Sequence, residues 1–238
     1  MTDESLPFVL VPGLGCSARV FAEQIPMLWR FGPVTVADHK QGDSIETIAR
    51  QMLSSAPPRF GLIGFSMGGY IAFEMHRQAP QRIAALALVD TSARPETPAQ
   101  TMVRRQRIAQ ARAGRFREAM DEQFALLVHK SRATDAGLKR IYDAMLDDTG
   151  VQLYIRHQEA IMQRADSRPD LARVRCPTLV LVGDDDKITP PEGAREMAEG
   201  IKGARFVVVP ECGHFTFIER PDAVSAALAE WAQLIHHA

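Results

Sequence analysis

The sequence predicts an α/β fold, in which a parallel sheet of about six strands is covered by helices on both faces. Short apolar runs of strand type alternate with segments of helical periodicity through most of the 238 residues. Prolines and glycines stand at many of the boundaries between them. Strands that alternate with helices form parallel sheets, because each helix returns the chain to the same end of the sheet. Ligands of such sheets bind at the carboxyl ends of the strands.

The predicted strands are apolar runs bounded by turn residues, at 6–11, 34–37, 60–63, 83–89, 178–182 and 205–209. A helix is predicted over 18–31, between the first two strands. A second helix follows Ser44, whose hydroxyl can cap it, and its apolar residues recur at helical spacing in one stripe. These residues are Ile45, Ile48, Ala49, Met52 and Leu53.

The alternation of strands and helices stops between residues 94 and 168. This stretch contains no convincing strand, and its pattern predicts amphipathic helices at 98–113, 116–129, 136–146 and 150–165. The sequence therefore predicts a helical insertion between the fourth and fifth strands.

The segment Gly64-Phe65-Ser66-Met67-Gly68 directly follows the third predicted strand and precedes a helical pattern. A G-x-S-x-G motif in this position is typical of a nucleophile elbow. The serine backbone makes a sharp, strained turn, so the residues two positions away must be nearly free of side chain. Because this turn lifts the hydroxyl clear of the sheet, we predict that Ser66 is a nucleophile.

A nucleophilic serine needs a base, and the base needs an acid that orients it. The fifth predicted strand ends in three consecutive aspartates at 184–186, and the sixth is followed by Gly213 and His214. The other histidines precede the aspartates, lie in predicted helices or stand at the C-terminus. We therefore predict that His214 is the base.

These motifs resemble those of the α/β-hydrolase superfamily, and the resemblance covers the full length of the chain. Within that superfamily the chain is similar to small esterases and lactonases related to β-ketoadipate enol-lactone hydrolase and to the pimeloyl-ester carboxylesterase of biotin synthesis. The resemblance implies a core of residues 1–94 and 169–238 and a helical lid of residues 95–168. The matching stretches are 9–15, 64–69, 88–92, 177–191 and 213–221. Members of this superfamily usually begin with an extra hairpin, for which residues 1–5 are too few, and we therefore expect six strands rather than eight.

The resemblance also selects one of the three aspartates. The family pattern places the acid three residues after a glycine and shortly before a Thr-Pro pair, which corresponds to Asp186 between Gly183 and Thr189. Asp90 remains an alternative, because it also ends a strand and some members of the family place the acid there.

An oxyanion hole is expected from two backbone N–H groups. One belongs to Met67, the residue after the nucleophile, and the other to Leu14 in the loop after the first strand. Family members often have histidine where this chain has Pro12, but a backbone donor does not depend on that side chain. Phe65, Tyr142 and Met145 are predicted to line the substrate pocket, although core packing explains an apolar residue at Phe65 equally well.

Six arginines cluster in the first third of the insertion: Arg104, Arg105, Arg107, Arg112, Arg115 and Arg117. They are consistent with a basic lid that attracts a carboxylate-bearing substrate, but solvated helix faces explain them more simply. The four methionines of the insertion allow the same two interpretations, an adaptable pocket or core packing.

Composition argues against several other classes of protein. The net charge of −1 gives no reason to expect a nucleic-acid partner, and no apolar stretch approaches the ~20 residues of a membrane span. The acidic N-terminus has no basic region of signal-peptide type, so a cytoplasmic location is expected. Three cysteines, an odd count, show no metal-ligand spacing, and neither a metal nor an organic cofactor is expected.

The predicted function is hydrolysis of a carboxylic ester or lactone through an acyl-enzyme, with a small molecule as the partner. Hydrolysis of a C–C bond and acyl transfer to another acceptor would use the same residues. A non-catalytic member of the fold that binds a ligand is a further alternative. The sequence does not indicate an oligomeric state.

Overall fold

The computed structural model describes residues 5–236, and within them the predicted six-stranded parallel sheet is confirmed. The strands are β1 (Phe8–Val11), β2 (Val34–Val36), β3 (Phe60–Phe65), β4 (Ile83–Val89), β5 (Thr178–Gly183) and β6 (Arg205–Val209). Their order across the sheet is β2-β1-β3-β4-β5-β6, and every neighbouring pair is parallel. The carboxyl ends of β3, β4 and β5 therefore lie side by side.

Helices pack on both faces of this sheet, and three more helices, all within the described residues, form the insertion between β4 and β5. They are α1 (Ile25–Leu28), α2 (Ile45–Ser55), α3 (Met67–Gln78), α4 (Pro98–Arg112), α5 (Phe116–Leu127), α6 (Ala136–Met162), α7 (Pro191–Gly200), α8 (Thr216–Glu219) and α9 (Pro221–His236). Within residues 5–236, none of these helices combines the length and apolarity that crossing a lipid bilayer requires.

The central strands are buried on both sides, and their side chains alternate between two hydrophobic clusters. Ile63 and Phe65 of β3 belong to the cluster that also contains residues of α9 and of the helical insertion. Leu62 belongs to the opposite cluster, with residues of α2, α3 and α7. All residues of β3, β4 and β5 are buried, which explains why these strands are continuous apolar runs.

The helix predicted over 18–31 is wrong. The structure has a 3-10 turn at Ala18–Phe21 and a separate short helix, α1. Pro26 lies in the first turn of α1, where its missing N–H is tolerated, but inside a longer helix it would remove a hydrogen bond. Between the two, the buried side chain of Gln24 donates to the backbone oxygen of Phe217 (3.1 Å), which attaches this segment to α8.

Residues 95–168 are all described, and they form helices and turns without any strand. Helices α4 and α5 begin and end close to their predicted limits. The two helices predicted at 136–146 and 150–165 are joined into α6, with one non-helical residue, Gly150 (φ 76°, ψ 164°), at the kink. Side chains cap two of these helices, Thr97 at α4 and Asp135 at α6.

Candidate active site

Ser66 lies at the turn between β3 and α3, which we call the serine turn. Its backbone is strained, at φ 53° and ψ −115°. Its N–H donates to Val89 O (3.0 Å), and its carbonyl accepts from the hydroxyl of Thr91 (2.8 Å). A Cβ at Gly68 would lie 2.0 Å from Val11 O, so the turn can approach β1 only with glycine there. The side chain of Ser66 is half-buried at the carboxyl end of the sheet.

His214 joins Ser66 to Asp186 in one line of hydrogen bonds. Its Nε2 lies 2.9 Å from Ser66 Oγ, and its Nδ1 lies 2.8 Å from Asp186 Oδ2. The carboxylate can only accept, which assigns the proton to Nδ1 and leaves Nε2 free to accept from the serine hydroxyl. Both His214 and Asp186 are 3% exposed. This is the arrangement that a base between a nucleophile and an orienting acid requires.

The carboxylate of Asp186 is fixed by its own loop. Its Oδ1 accepts from the N–H groups of Ile188 (2.8 Å) and Thr189 (2.9 Å), and its Oδ2 accepts from the Thr189 hydroxyl (2.7 Å). The Thr189 hydroxyl also lies 3.4 Å from Nδ1 of His214. These donors hold the carboxylate plane against the imidazole.

Asp90, the alternative acid, pairs with other groups. It is fully buried, its Oδ1 accepts from Gly183 N (3.1 Å) and its Oδ2 accepts from the Thr216 hydroxyl (2.5 Å). Burial, and then the charge of Asp186, raise the pKa of Asp90 well above its usual value. Asp90 thus links the ends of β4 and β5 to α8, whereas the hydrogen bond to His214 is made by Asp186.

Leu14 and Met67, whose N–H groups are the predicted oxyanion hole, line the same cavity as Ser66. Met67 is the first residue of α3, where a helix N–H has no intrahelical acceptor. Among residues 5–236, neither N–H has a hydrogen-bond partner. Both residues line the cavity that contains Ser66 and His214.

That cavity has a volume of about 370 Å³ and lies between the sheet and the helical insertion. Phe65 and Tyr142 line it, as predicted for the pocket, together with Leu127 and Phe215. Met145 does not line it, and that prediction is wrong. Helical spacing cannot tell which face of α6 meets the cavity, and Met145 is fully buried in the hydrophobic cluster next to it.

The sequence pattern of the alpha/beta hydrolase fold matches residues 36–221. The chain belongs to the alpha/beta hydrolase fold family. The match spans more than half of the chain, and it includes the serine turn, the insertion and both loops that carry Asp186 and His214. The family predicted from the motifs is therefore confirmed.

Known members of the alpha/beta hydrolase family resemble this chain along most of its length. A pimeloyl-(acyl-carrier protein) methyl ester esterase of Chromobacterium violaceum is 26% identical over 93% of this chain and 92% of that protein. A thermophilic esterase from Thermogutta terrifontis, solved with malate bound, is 29% identical with a TM-score of 0.85, covering 98% of this chain and 91% of that one. The enol-lactonase from Burkholderia xenovorans LB400 has a TM-score of 0.83 at 23% identity, covering 98% and 94%, a likeness that shows the fold.

The sequence did not predict the hydrogen bonds that hold the turn of residues 213–215, which we call the histidine turn. The N–H groups of His214 and Phe215 both donate to Leu127 O, at 2.9 and 3.1 Å, and Leu127 is the last residue of α5 in the insertion. The buried Glu219 accepts from Gly213 N (2.9 Å) with one oxygen and from His129 N (2.8 Å) with the other. No local pattern could have shown the contacts with Leu127 and His129, because they join residues about 90 positions apart.

A second contact between the core and the insertion is a buried histidine pair. His39 donates to Cys16 O (3.1 Å), His157 of α6 donates to His39 O (2.8 Å), and the ring centroids are 4.7 Å apart. Burial lowers the pKa of His39, and burial with the neighbouring His39 lowers the pKa of His157 to about 3. The pair therefore favours the neutral state and connects the loop that carries Leu14 to α6.

The cysteines show no sign of activation. Burial raises the pKa of Cys16 to about 12, and it raises the pKa of Cys212 further, with the charges of Asp90 and Glu219 adding to the effect. In the part of the chain between residues 5 and 236, no three His, Cys, Asp or Glu side chains are grouped as a metal site would need.

Proposed function

We propose that this chain hydrolyses carboxylic esters or lactones through an acyl-enzyme formed on Ser66. The observation that carries the proposal is the position of the His214 ring. One of its nitrogens lies 2.9 Å from the serine oxygen while the other lies 2.8 Å from a buried carboxylate. A histidine with a purely structural role would have no reason to bridge a strained serine and an acid in this way.

In the first half of the reaction, Ser66 Oγ attacks the substrate carbonyl carbon and its proton moves to Nε2 of His214. The resulting oxyanion accepts from the N–H groups of Leu14 and Met67. When the intermediate collapses, the C–O bond to the alcohol breaks and Nε2 donates its proton to the departing alcohol oxygen. Asp186 orients the ring and stabilises the imidazolium, without taking its proton.

In the second half, a water molecule takes the place of the alcohol. His214 removes one proton from it, the hydroxyl attacks the acyl carbon, and the same oxyanion hole binds the second intermediate. Collapse releases the carboxylic acid and returns the proton to Ser66. With a lactone, the alcohol and the acid leave as one hydroxy acid.

The family and its relatives support this class of reaction. The C. violaceum relative is a methyl ester esterase, and structural neighbours include an esterase and an enol-lactonase. The cavity supports a small substrate, because about 370 Å³ is near the lower end of the ~300–1,000 Å³ typical of small-molecule sites. Apolar side chains such as Phe65 and Leu127 suit a hydrocarbon acyl chain.

The test is steady-state turnover of 4-nitrophenyl acetate, butyrate and hexanoate and of a series of lactones by the wild type and by Ser66→Ala. We expect the alanine variant to lose at least ~10³ of kcat while its thermal unfolding stays close to that of the wild type. Ligand binding without turnover of any ester or lactone would contradict the proposal and favour a binding protein. Faster product formation with an added alcohol or amine acceptor would favour acyl transfer, and turnover limited to diketones would favour C–C bond hydrolysis.

A further inference from the structure

The cavity beside Ser66 has an unbalanced set of charges. Of its 23 lining residues, all within the described part of the chain, three are basic and none is acidic. The basic residues are Arg104, Arg107 and Lys187. Two of the three, Arg104 and Arg107, belong to α4 of the insertion. Of the six arginines that cluster there in the sequence, these two line the cavity.

Arg104 and Lys187 have partners inside the protein. Arg104 donates through Nε to the buried carboxylate of Glu96 (2.7 Å) and through Nη1 to Gln158 Oε1 (2.7 Å). Lys187 lies 3.6 Å from Asp185. Their charges are therefore at least partly compensated before any substrate arrives.

Arg107 differs from both. Among residues 5–236, it has neither a hydrogen bond nor a salt bridge through its guanidinium, although it is only half-exposed. Its charge acts on the cavity: burial raises the pKa of Tyr154, and Arg107 is one of the charges that oppose this rise. A half-buried guanidinium without a counter-charge is unfavourable in an apolar surrounding. An anion that binds beside it would supply the missing counter-charge.

Arg107 also lies where two cavities meet. A smaller cavity of about 280 Å³ is lined by α4 and α5 alone, and it shares Val103, Arg107, Gln123 and Leu126 with the main cavity. Gln123 is 9% exposed, and its Oε1 is a buried polar atom without a partner. The acidic residue beside the smaller cavity is the exposed Glu122, and no salt bridge joins it to Arg107. Ser66 lines only the main cavity, whereas Arg107 lines both cavities.

We propose that Arg107 binds a carboxylate on the substrate, at a distance from the ester or lactone carbonyl that Ser66 attacks. This inference rests on the proposed function and names the class of substrate for it: a half-ester or a lactone that keeps a free acid. A guanidinium matches a carboxylate with two parallel N–H···O bonds, which positions the substrate as well as binding it. The apolar side chains that line the main cavity, such as Leu127 and Phe215, suit the hydrocarbon chain that connects the two groups.

The first experiment compares two substrates that differ in one charge. The probes are mono-(4-nitrophenyl) glutarate and its neutral counterpart of similar length, 4-nitrophenyl pentanoate. For Arg107→Gln we expect the ratio of their kcat/KM values to fall by about 10-fold or more, since a hydrogen bond to a charged group contributes roughly 1.5–3 kcal/mol. Arg107→Lys should retain part of the preference. The matched control is Arg105→Gln on the same helix, which is exposed, lines neither cavity and should leave the ratio unchanged.

A second pair of substrates locates the carboxylate. 4-Acetoxybenzoate and its methyl ester carry the charge difference on the alcohol side instead of the acyl side. Loss of the preference in Arg107→Gln for only one of the two pairs would assign the guanidinium to that side of the scissile bond. An unchanged ratio in both pairs would overturn the inference, even if all four esters were good substrates.

A binding measurement keeps this inference separate from the proposed function. Calorimetry with Ser66→Ala should give at least ~10-fold tighter binding of monomethyl adipate than of dimethyl adipate, and the double variant with Arg107→Gln should lose that difference. If no ester is hydrolysed by the wild type but this difference in binding is present, the proposed function fails and the carboxylate site stands. Equal affinities in the presence and absence of Arg107 would disprove the site.

Discussion

The serine turn and the histidine turn meet at one hydrogen bond, but different parts of the molecule hold them. The turn at Ser66 is held by the core strands, through Val89 O and the close approach of Gly68 to Val11. The turn at His214 is held by the insertion, because two of its N–H groups donate to Leu127 O. The difference teaches that the insertion does more than cover the cavity. It also holds the turn that carries His214.

The close packing of Gly213 against the insertion is further evidence that the two turns are held by different parts of the molecule. A Cβ at that position would lie 2.4 Å from the carbonyl carbon of Val128 and 2.6 Å from His129 N. The histidine turn therefore touches the backbone of the insertion directly, as the serine turn touches the backbone of β1. Movement of α5 away from the core would remove both contacts and with them the support of His214.

The largest effect is expected from the variant that tests which carboxylate orients His214. Asp186→Asn should lower kcat by about 10⁴-fold, because an amide in place of the carboxylate favours the wrong tautomer of His214. The measurement is kcat for 4-nitrophenyl acetate, with the fold checked by circular dichroism.

Two matched variants control this prediction. Asp185→Asn removes a neighbouring aspartate that pairs with Lys187, and Asp90→Asn changes the buried carboxyl that pairs with Thr216. Both should retain far more activity than Asp186→Asn. If Asp90→Asn were the disabling change, the acid would belong to the end of β4 and the geometry described for His214 would not be the catalytic one.

A smaller effect should distinguish the support of the two turns. Glu219→Gln replaces an acceptor of two N–H groups by an amide that can accept from only one of them. One buried N–H, of Gly213 or His129, is then left without an acceptor, which costs about 1–3 kcal/mol of folding free energy. We also expect kcat for 4-nitrophenyl acetate to fall by roughly 10-fold as the histidine turn loosens.

The matched change at the serine turn is Thr91→Val, which keeps the shape and removes the hydroxyl that donates to Ser66 O. That carbonyl also accepts from Gly69 N (2.8 Å), so we expect a loss of only about 0.5–1.5 kcal/mol and little change in kcat. Urea unfolding and kcat of both variants give the comparison. Equal losses of activity would show that the link from Gly213 to His129 through Glu219 gives His214 no special support.

The smallest expected effect concerns the contact between the core and the insertion at His39 and His157, and it is tested by a change of pH. The pKa of His157 is lowered to about 3 in the folded protein, chiefly by burial, against 6.5 for an ordinary histidine. Below pH about 6.5 the unfolded chain therefore binds a proton that the folded chain does not. The free energy of unfolding decreases as the pH is lowered from about 6.5 to about 3. This histidine contributes a slope of at most ~1.4 kcal/mol per pH unit in that range.

His157→Gln keeps a donor for His39 O and removes the titrating group. The free energy of unfolding, measured by urea titration between pH 4 and 8, should depend less steeply on pH in this variant than in the wild type. Parallel curves for the two proteins would mean that the histidine pair does not couple the insertion to the core in this way.

Local patterns in the sequence were sufficient for the sheet and for the serine turn. Each strand is a short apolar run between turn residues, and the elbow motif carries its own steric explanation in its glycines. That Ser66, His214 and the aspartates at 184–186 lie near one another could be predicted because each follows a strand, and the ends of parallel strands meet at one edge of the sheet. The choice of Asp186 among the aspartates came from the resemblance to the family.

What could not be predicted depends on contacts between distant segments. Periodicity gave the helices of the insertion but not the face that each one turns to the cavity, so Tyr142 and Met145 looked equivalent. Pro26 splits the helix expected over 18–31, and only the packing of Gln24 against α8 shows why the chain turns there. The support of His214 by Leu127 has no local signature at all.

The central claim is that Ser66 is a nucleophile activated by His214, and covalent labelling tests it most directly. A fluorophosphonate should add to the wild type once, and peptide mass spectrometry should find the adduct on Ser66. His214→Ala should be labelled at least ~100-fold more slowly, because general-base assistance contributes about 10²–10⁴-fold. A protein that hydrolyses esters but carries its adduct on another residue, or carries none, would contradict the account.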